Sequence, residues 1–500
     1  MNLAKQLRDR TLKANLAHSL WSIFDVLLYP AVYVLFTPLL VAQLGKDGYG
    51  LFVLVNTIVV FMQIFNFGLG VNTLKNVAAA IGKGRLAAAI PLLQTNIAIA
   101  LVTALVCMIA SFSFAQLSGH FHWFGIPVSL RNTSFVTISL AGVIGGQKIL
   151  EQVLSSALIA FEKIGAAARY NSTIRICNLL ITLVLVSLRA DLTVIFSTTV
   201  FVYVCGLYYL YRKLHAQTGD FPVVFRLDRS FIIRELRYSR WIWLQSVFVI
   251  LAFQFDKFLI GYWYGISDFS YYSIVSTVFN HLHLALVALA PWAMPQIAKQ
   301  FAAGMEIRAY YRNCRSLIHI VSYCGILFMS LFHDLAFRLW LGKDLMAHVD
   351  GYVHLFMCFE LLLTFTIAPY FFLNATGSER LATINTLIYT ALSLAGLFTG
   401  HYFLHGIGQA VGCSIVFLFA GMLIQQVIVA RVLSRSALQE TLGLLSPAVL
   451  LILFILSDKQ ILIIRGVLLL ASIGAFYYVY KVLYPFRISL FKTQKKYSDA

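Results

Sequence analysis

Residues 239–265 read SRWIWLQSVFVILAFQFDKFLIGYWYG, one apolar run interrupted by Gln245, Gln254, Asp256 and Lys257. At about 1.5 Å per residue, a helix of this length crosses the roughly 30 Å hydrocarbon of a bilayer. The run is also the second copy of an earlier one. The shift that carries Ser239 onto Ser19 carries Trp241 onto Trp21, Gly265 onto Gly45 and Phe269 onto Tyr49. It continues without a gap through Val275 on Val55, Leu289 on Leu69, Ala298 on Ala78 and Gly304 on Gly84, and Gln245 falls on Asp25. A register held over roughly 65 residues points to a duplicated bundle, the plan on which many membrane carriers are built, with Ser239 opening the second half.

Composition fixes the class. Charged residues make up 12% and apolar ones 60%, against about 25% and 45–50% in soluble domains. Fourteen apolar spans are expected, near 17–41, 48–70, 87–113, 133–160, 170–188, 193–211, 239–264, 270–292, 316–335, 352–373, 382–400, 407–430, 442–457 and 461–484. A β-barrel is excluded, because its strands would be about 10 residues long and strictly alternating. The expected fold is an all-α polytopic membrane protein: two six-helix lobes related by the repeat, plus two C-terminal helices. The lobes are 1–211 (spans 1–6) and 239–430 (spans 7–12). A basic cytoplasmic linker at 212–238 joins them, and 431–500 holds the extra spans and a basic tail.

Lys and Arg set the orientation. With the N-terminus in the cytoplasm, the inner loops hold clusters such as Lys5, Arg8, Arg10 and Lys13, the run Arg212 to Arg240, Arg308, Arg312 and Arg315, and Lys492, Lys495 and Lys496. The outer loops hold only Lys46, Arg131, Arg189, Arg338, Lys343 and Lys459. Both termini are therefore expected inside. The net charge of +18 reads as topology and contact with anionic membrane lipid, not nucleic-acid binding. The seven cysteines form no CxxC pair, so disulfides and zinc are not expected. The pairs His120/His122 and His401/His405 sit in or near outer loops, and no metal site is assigned to them.

Chemistry then belongs to polar groups inside the spans, where a charge costs roughly 2.5–3.5 kcal/mol on insertion scales and turns toward a cavity or a partner. Several fall on one helical face. His18, Ser22, Asp25 and Tyr29 stripe the first span, and Asn56, Gln63 and Gly70 the second. The fourth carries Lys148, Glu151, Gln152 and Ser155, and the fifth Asn171, Arg175, Asn178 and Thr182. Gln245 and Asp256 face alike on the seventh, with Lys257 turned about 100° away. The eighth shows Ser273, Ser276, Thr277, Asn280 and His281, and the tenth Glu360 and Thr364. The structural alternatives are a self-neutralised Lys148–Glu151 pair, an Arg175 that snorkels to the surface, and a packing salt bridge at Asp256–Lys257. Asp25 and Glu360 lack an evident local partner and are the stronger candidates for proton or substrate work.

The run 37–50, TPLLVAQLGKDGYG, followed by 65–84, FNFGLGVNTLKNVAAAIGKG, resembles the opening of the polysaccharide exporters. These are the Wzx-type flippases of lipid-linked oligosaccharides, in the superfamily of the multidrug extruders. FDKFLIGYWYGISDFSYYSIVS (255–276), APWAMPQIAKQF (290–301) and FRLWLGKDL (337–345) carry the likeness through the second half. The resemblance implies two lobes around a central cavity closed alternately on either side of a bacterial cytoplasmic (inner) membrane. It implies O-antigen or exopolysaccharide repeat units on undecaprenyl pyrophosphate as cargo. Lys148, Arg175 and Lys257 would supply cationic contacts, while Asp25, Asp256 and Glu360 would couple the cycle to a proton or sodium ion, with no other cofactor. The chain is expected to work as a monomer beside a polysaccharide polymerase and chain-length machinery. Two alternatives stand: a multidrug or small-cation antiporter of the same superfamily, and a membrane glycan polymerase or ligase. The outer loops near 114–132 and 336–351 are short for the latter. No phosphate-binding glycine loop or nucleophile–base constellation is present, so ATP-driven transport by this chain alone is not expected; the chain is expected to be a carrier and not an enzyme.

Overall fold

The computed structural model describes the backbone of residues 2–83, 86–218, 229–288, 290, 297–298, 300–301, 307–433, 435–457 and 462–483; side chains are described within 32–83, 89–218, 240–301 and 307–481, with short breaks. Among these residues there are thirteen α-helices and no β-strand. They are α1 (Asn2–Met62), α2 (Leu69–Gly82), α3 (Leu86–His120), α4 (Arg131–Ala160), α5 (Ile164–Ser187), α6 (Leu192–Thr218), α7 (Arg229–Val287), α8 (Arg308–Leu341), α9 (Lys343–Ala375), α10 (Glu379–Leu404), α11 (Ile407–Leu433), α12 (Arg435–Leu456) and α13 (Leu462–Tyr478). The side chain of Asp25, the linker core 219–228, the segment 291–296 and the tail 484–500 lie outside the described residues.

Among the described residues, eleven helical stretches are long and apolar enough to cross a membrane. One of them, Arg240–Val287, has 48 residues and would reach about 72 Å if straight, more than twice the bilayer core. It is not straight. Gly265 breaks α7 at φ 83°, ψ 168°, and Gly45 breaks α1 at φ 69°, ψ 172°. That region of backbone space is essentially reserved for glycine. The two breaks are mates in the sequence repeat, so the duplication is written into the backbone. Counting each kinked stretch as two crossings, and adding the shorter apolar helix Leu445–Leu456, reproduces the fourteen expected spans. The second span ends earlier than its apolar run. Phe67 and Gly68 turn left-handed, at φ 47° and 72°, and the Gly68 N–H donates to Asn66 Oδ1 at 2.8 Å, so α2 sets off in a new direction.

The chain forms two compact units, Met1–Ile274 and Val275–Ala500. In the first, α4 packs on α1, α2, α3 and α6. Small residues allow the close approach: a Cβ on Gly142 would stand 2.5 Å from Cys107 O, and one on Gly145 would stand 2.3 Å from Met62 Cβ. The first half of α7 is anchored here. Trp243 Nε1 donates to Ile64 O at 2.7 Å, and Phe258 packs against Phe61, Phe114 and Phe124 with ring centroids 5.3–5.9 Å apart. The two joints also touch. Ser270 Oγ donates to Lys46 O at 2.5 Å, and a Cβ on Gly50, the repeat mate of Ser270, would meet that hydroxyl at 2.5 Å.

In the second unit α10 lies tight on α11, because Gly396 and Gly400 bring it against Cys413 and Ala410. Helix α9 contains Pro369, which cannot donate to the carbonyl of Phe365. Gln426 of α11 takes that role, its Nε2 3.0 Å from Phe365 O. In hydrocarbon a backbone carbonyl has no water to turn to, so a neighbouring side chain must satisfy it.

Candidate functional site

Seven of the residues singled out in the sequence line one cavity of about 510 Å³ in the first unit. The α4 stripe places Lys148, Glu151, Gln152 and Ser155 on its wall, because positions i, i+3, i+4 and i+7 share a helix face. Helix α5 contributes Asn171 and Arg175, α6 contributes Tyr203, and the segment after α1 contributes Gln63. Lys148 Nζ donates to the Tyr203 hydroxyl at 2.7 Å and stands 4.6 Å from that ring's centre. Glu151 lies within electrostatic reach of both Lys148 and Arg175, with Lys148 the stronger influence. Gln63 Nε2 donates to Gly145 O at 3.3 Å, and Asn66 Nδ2 to Gln152 Oε1 at 3.3 Å. Gly70, on the expected face with Gln63, has no side chain because Gln152 fills the space. Among the described residues the cavity thus holds two cations, one carboxylate and a ring of amides and hydroxyls. Such a lining can neutralise an anion and hydrogen-bond to hydroxyl groups.

The other expected residues fall elsewhere. Asp256 is half-buried on α7 and accepts a hydrogen bond from the Tyr272 hydroxyl across the Gly265 joint. Its Oδ1 has no hydrogen-bond partner among the described residues. Lys257, the next residue, is buried, and Gln245 is buried with its Nε2 lacking a hydrogen-bond partner among the described residues. In the second unit Glu360 is buried on α9, with Oε1 2.9 Å from Nδ1 of the buried His283. Asn280 and His281 are half-buried on the same helix as His283.

Sequence reasoning missed both Tyr203 and His283. Tyr203 is one of 25 tyrosines, and nothing local marks it. His283 continues the face of Asn280 at i+3, and that spacing was a usable signal. Arg315 is a further departure: counted among cytoplasmic loop cations, it is 1% exposed within α8, its guanidinium 5.5 Å from the ring centre of Tyr311.

No protein-family model matches this sequence, and no curated protein matches it either. Solved structures do match in fold. One is an inward-facing multidrug resistance MATE family transporter of the MOP superfamily, with a TM-score of 0.65 and 15% identity over 84% of this chain and 99% of the other. A second is a MOP superfamily transporter from Pyrococcus furiosus described by the reverse polarity of its binding pocket, at TM-score 0.58 and 14% identity over 84% and 96%. A third is a Vibrio cholerae MATE transporter, at TM-score 0.54 and 14% identity over 85% and 98%. The chain is an all-α polytopic protein with the fold of the MOP superfamily.

Proposed function

We propose that this protein is a flippase that moves undecaprenyl-pyrophosphate-linked oligosaccharides from the cytoplasmic to the periplasmic leaflet by alternating access, without covalent chemistry on its cargo. The observation that carries this reading is the sign and texture of the first-unit cavity, where the described residues set Lys148 and Arg175 against one carboxylate, Glu151, among Gln152, Asn171, Ser155 and Tyr203. A diphosphate crossing hydrocarbon must exchange its hydration for fixed cations, and sugar hydroxyls must exchange theirs for amides and hydroxyls. An organic-cation extruder calls for the opposite sign. The Pyrococcus furiosus transporter, for which pocket polarity is the feature tied to a different function, supports treating cavity sign as the discriminating property within this fold.

In this reading Asp25, Asp256 and Glu360 carry the coupling proton or sodium ion, the lobes 1–211 and 239–430 rock against each other, and both termini stay in the cytoplasm of the inner-membrane cell. The chain acts as a monomer and hands its product to polymerase and chain-length machinery. The test is deletion in the source organism. Loss of a surface polysaccharide, with lipid-linked repeat units accumulating on the cytoplasmic side, supports the flippase. Normal polysaccharide with raised sensitivity to cationic dyes replaces it with the multidrug antiporter.

A further inference from the structure

A second group of ionisable residues sits far from the cavity in sequence and belongs to no stripe described above. His333 on α8 and Asp350 and His354 on α9 each offer one ligand atom, and all three atoms lie within 4.8 Å of one another. They bracket the joint at Gly342, where α8 ends and α9 begins with the backbone at φ 84°, ψ 165°. The joint folds the two helices into a hairpin, which sets position 333 beside 350 and 354. The last two are adjacent on their helix face at i, i+4.

The hydrogen bonds decide what the group is. His333 Nδ1 is 3.1 Å from Ser330 O, and His354 Nδ1 is 2.9 Å from Asp350 O. A carbonyl only accepts, so each imidazole carries a proton on Nδ1; the second nitrogen of His333 then takes either a metal ion or a second proton, and His354 Nδ1 also lies 4.0 Å from Asp350 Oδ1. Anchoring the far nitrogen in this way is how metal-ligating histidines are oriented. His333 Nε2 faces Asp350 Oδ1 at 3.6 Å, beyond hydrogen-bonding distance. That approach is favourable with a cation between the two atoms, and a metal ion fits 3.6 Å better than an imidazole proton, which would draw them within hydrogen-bonding distance. Donors 2.0–2.2 Å from one tetrahedral ion stand about 3.3–3.6 Å apart, which matches this separation. His333 is buried while Asp350 and His354 are half-buried, so the group is fixed on one side and accessible on the other. Neighbouring Asp334 is held apart, paired with Arg338 at 2.6 Å on the exposed face.

We propose that His333, Asp350 and His354 form a binding site for a first-row divalent cation of the Zn²⁺ type. The ion has two nitrogen ligands and one carboxylate ligand, keeps at least one further position for water, and staples α8 to α9 beside the Gly342 joint. The proposal does not depend on the flippase reading. The test uses the full chain in detergent, purified without a histidine tag, stripped with a chelator and titrated with Zn²⁺ against a chromophoric competitor. One ion per chain is expected. His333→Gln, Asp350→Asn and His354→Ala should each weaken binding at least tenfold, while His401→Ala leaves it unchanged. Co²⁺ in place of Zn²⁺ should give a visible d–d band that Asp350→Asn removes, a readout that loss of folding alone does not imitate when the variant stays monodisperse. No stoichiometric binding by the wild type, or binding untouched in all three variants, overturns the site and leaves a protonated histidine as the bridging cation.

Discussion

Replacing Gly265 by alanine puts a Cβ on a residue at φ 83°, ψ 168°, where only glycine sits without strain. Space is not the obstacle. The added carbon would meet nothing nearer than Phe124 O at 3.6 Å, and at Gly45 and Gly342 nothing lies within 4 Å. The expected cost is therefore the backbone term alone, about 1–3 kcal/mol. That is roughly a five- to 150-fold fall in the folded-to-unfolded ratio. Gly412 is the internal control: it too has nothing within 4 Å of its Cβ position, but its φ is not positive and it lies inside α11. There alanine should be neutral or stabilising by about 0.5–1 kcal/mol. The assay is denaturant unfolding in mixed micelles, followed by loss of helical signal. Gly45→Ala, Gly265→Ala and Gly342→Ala should move the midpoint down and Gly412→Ala should not. If all four behave alike, the left-handed joints are not what connects these helices.

Gly50→Ala should be worse than any joint variant, because its Cβ would lie 2.6 Å from Ile266 O as well as against Ser270; unfolding midpoints ranked against Gly45→Ala check this. His283→Ala strips Glu360 of its imidazole and should cost about 1–3 kcal/mol in the same assay, with Glu360→Gln costing less because the amide oxygen still accepts. Gln426→Ala leaves Phe365 O without the donor that replaces Pro369's missing N–H, a comparable loss read as lower thermal stability in detergent. Asp25→Asn should lower transport while membrane abundance holds; equal loss of both would make that residue structural.

Much of the architecture is legible because membrane spans announce themselves by length and because the duplication preserves register. The repeat register alone pairs Gly45 with Gly265. The third joint was harder: LGKD recurs at 44–47 and 341–344, but outside the register of the repeat, so alignment of the two halves passes over it. At the site, the α4 stripe was readable because one helix carries Lys148, Glu151, Gln152 and Ser155. Tyr203, Tyr272 and His283 were not, since each becomes a partner only when another helix, or the far side of a joint, brings it close. His333, Asp350 and His354 escaped for the same reason, being split across a hairpin whose geometry depends on Gly342. Arg315 was misplaced because hydropathy shows where a span begins, not which of its flanking charges turn inward.

In the proposed function, cations in a polar cavity draw an anionic lipid-linked glycan across the bilayer. The direct measurement is translocation of undecaprenyl-pyrophosphate-linked glycan in proteoliposomes, read as exposure to a membrane-impermeant glycan-modifying enzyme. The wild type should accelerate exposure. Lys148→Ala and Arg175→Ala should each slow it about ten- to 150-fold, the worth of one charge-assisted bond of about 1.5–3 kcal/mol. A wild type that leaves the glycan where it started yet expels an organic cation from the same vesicles would contradict the account.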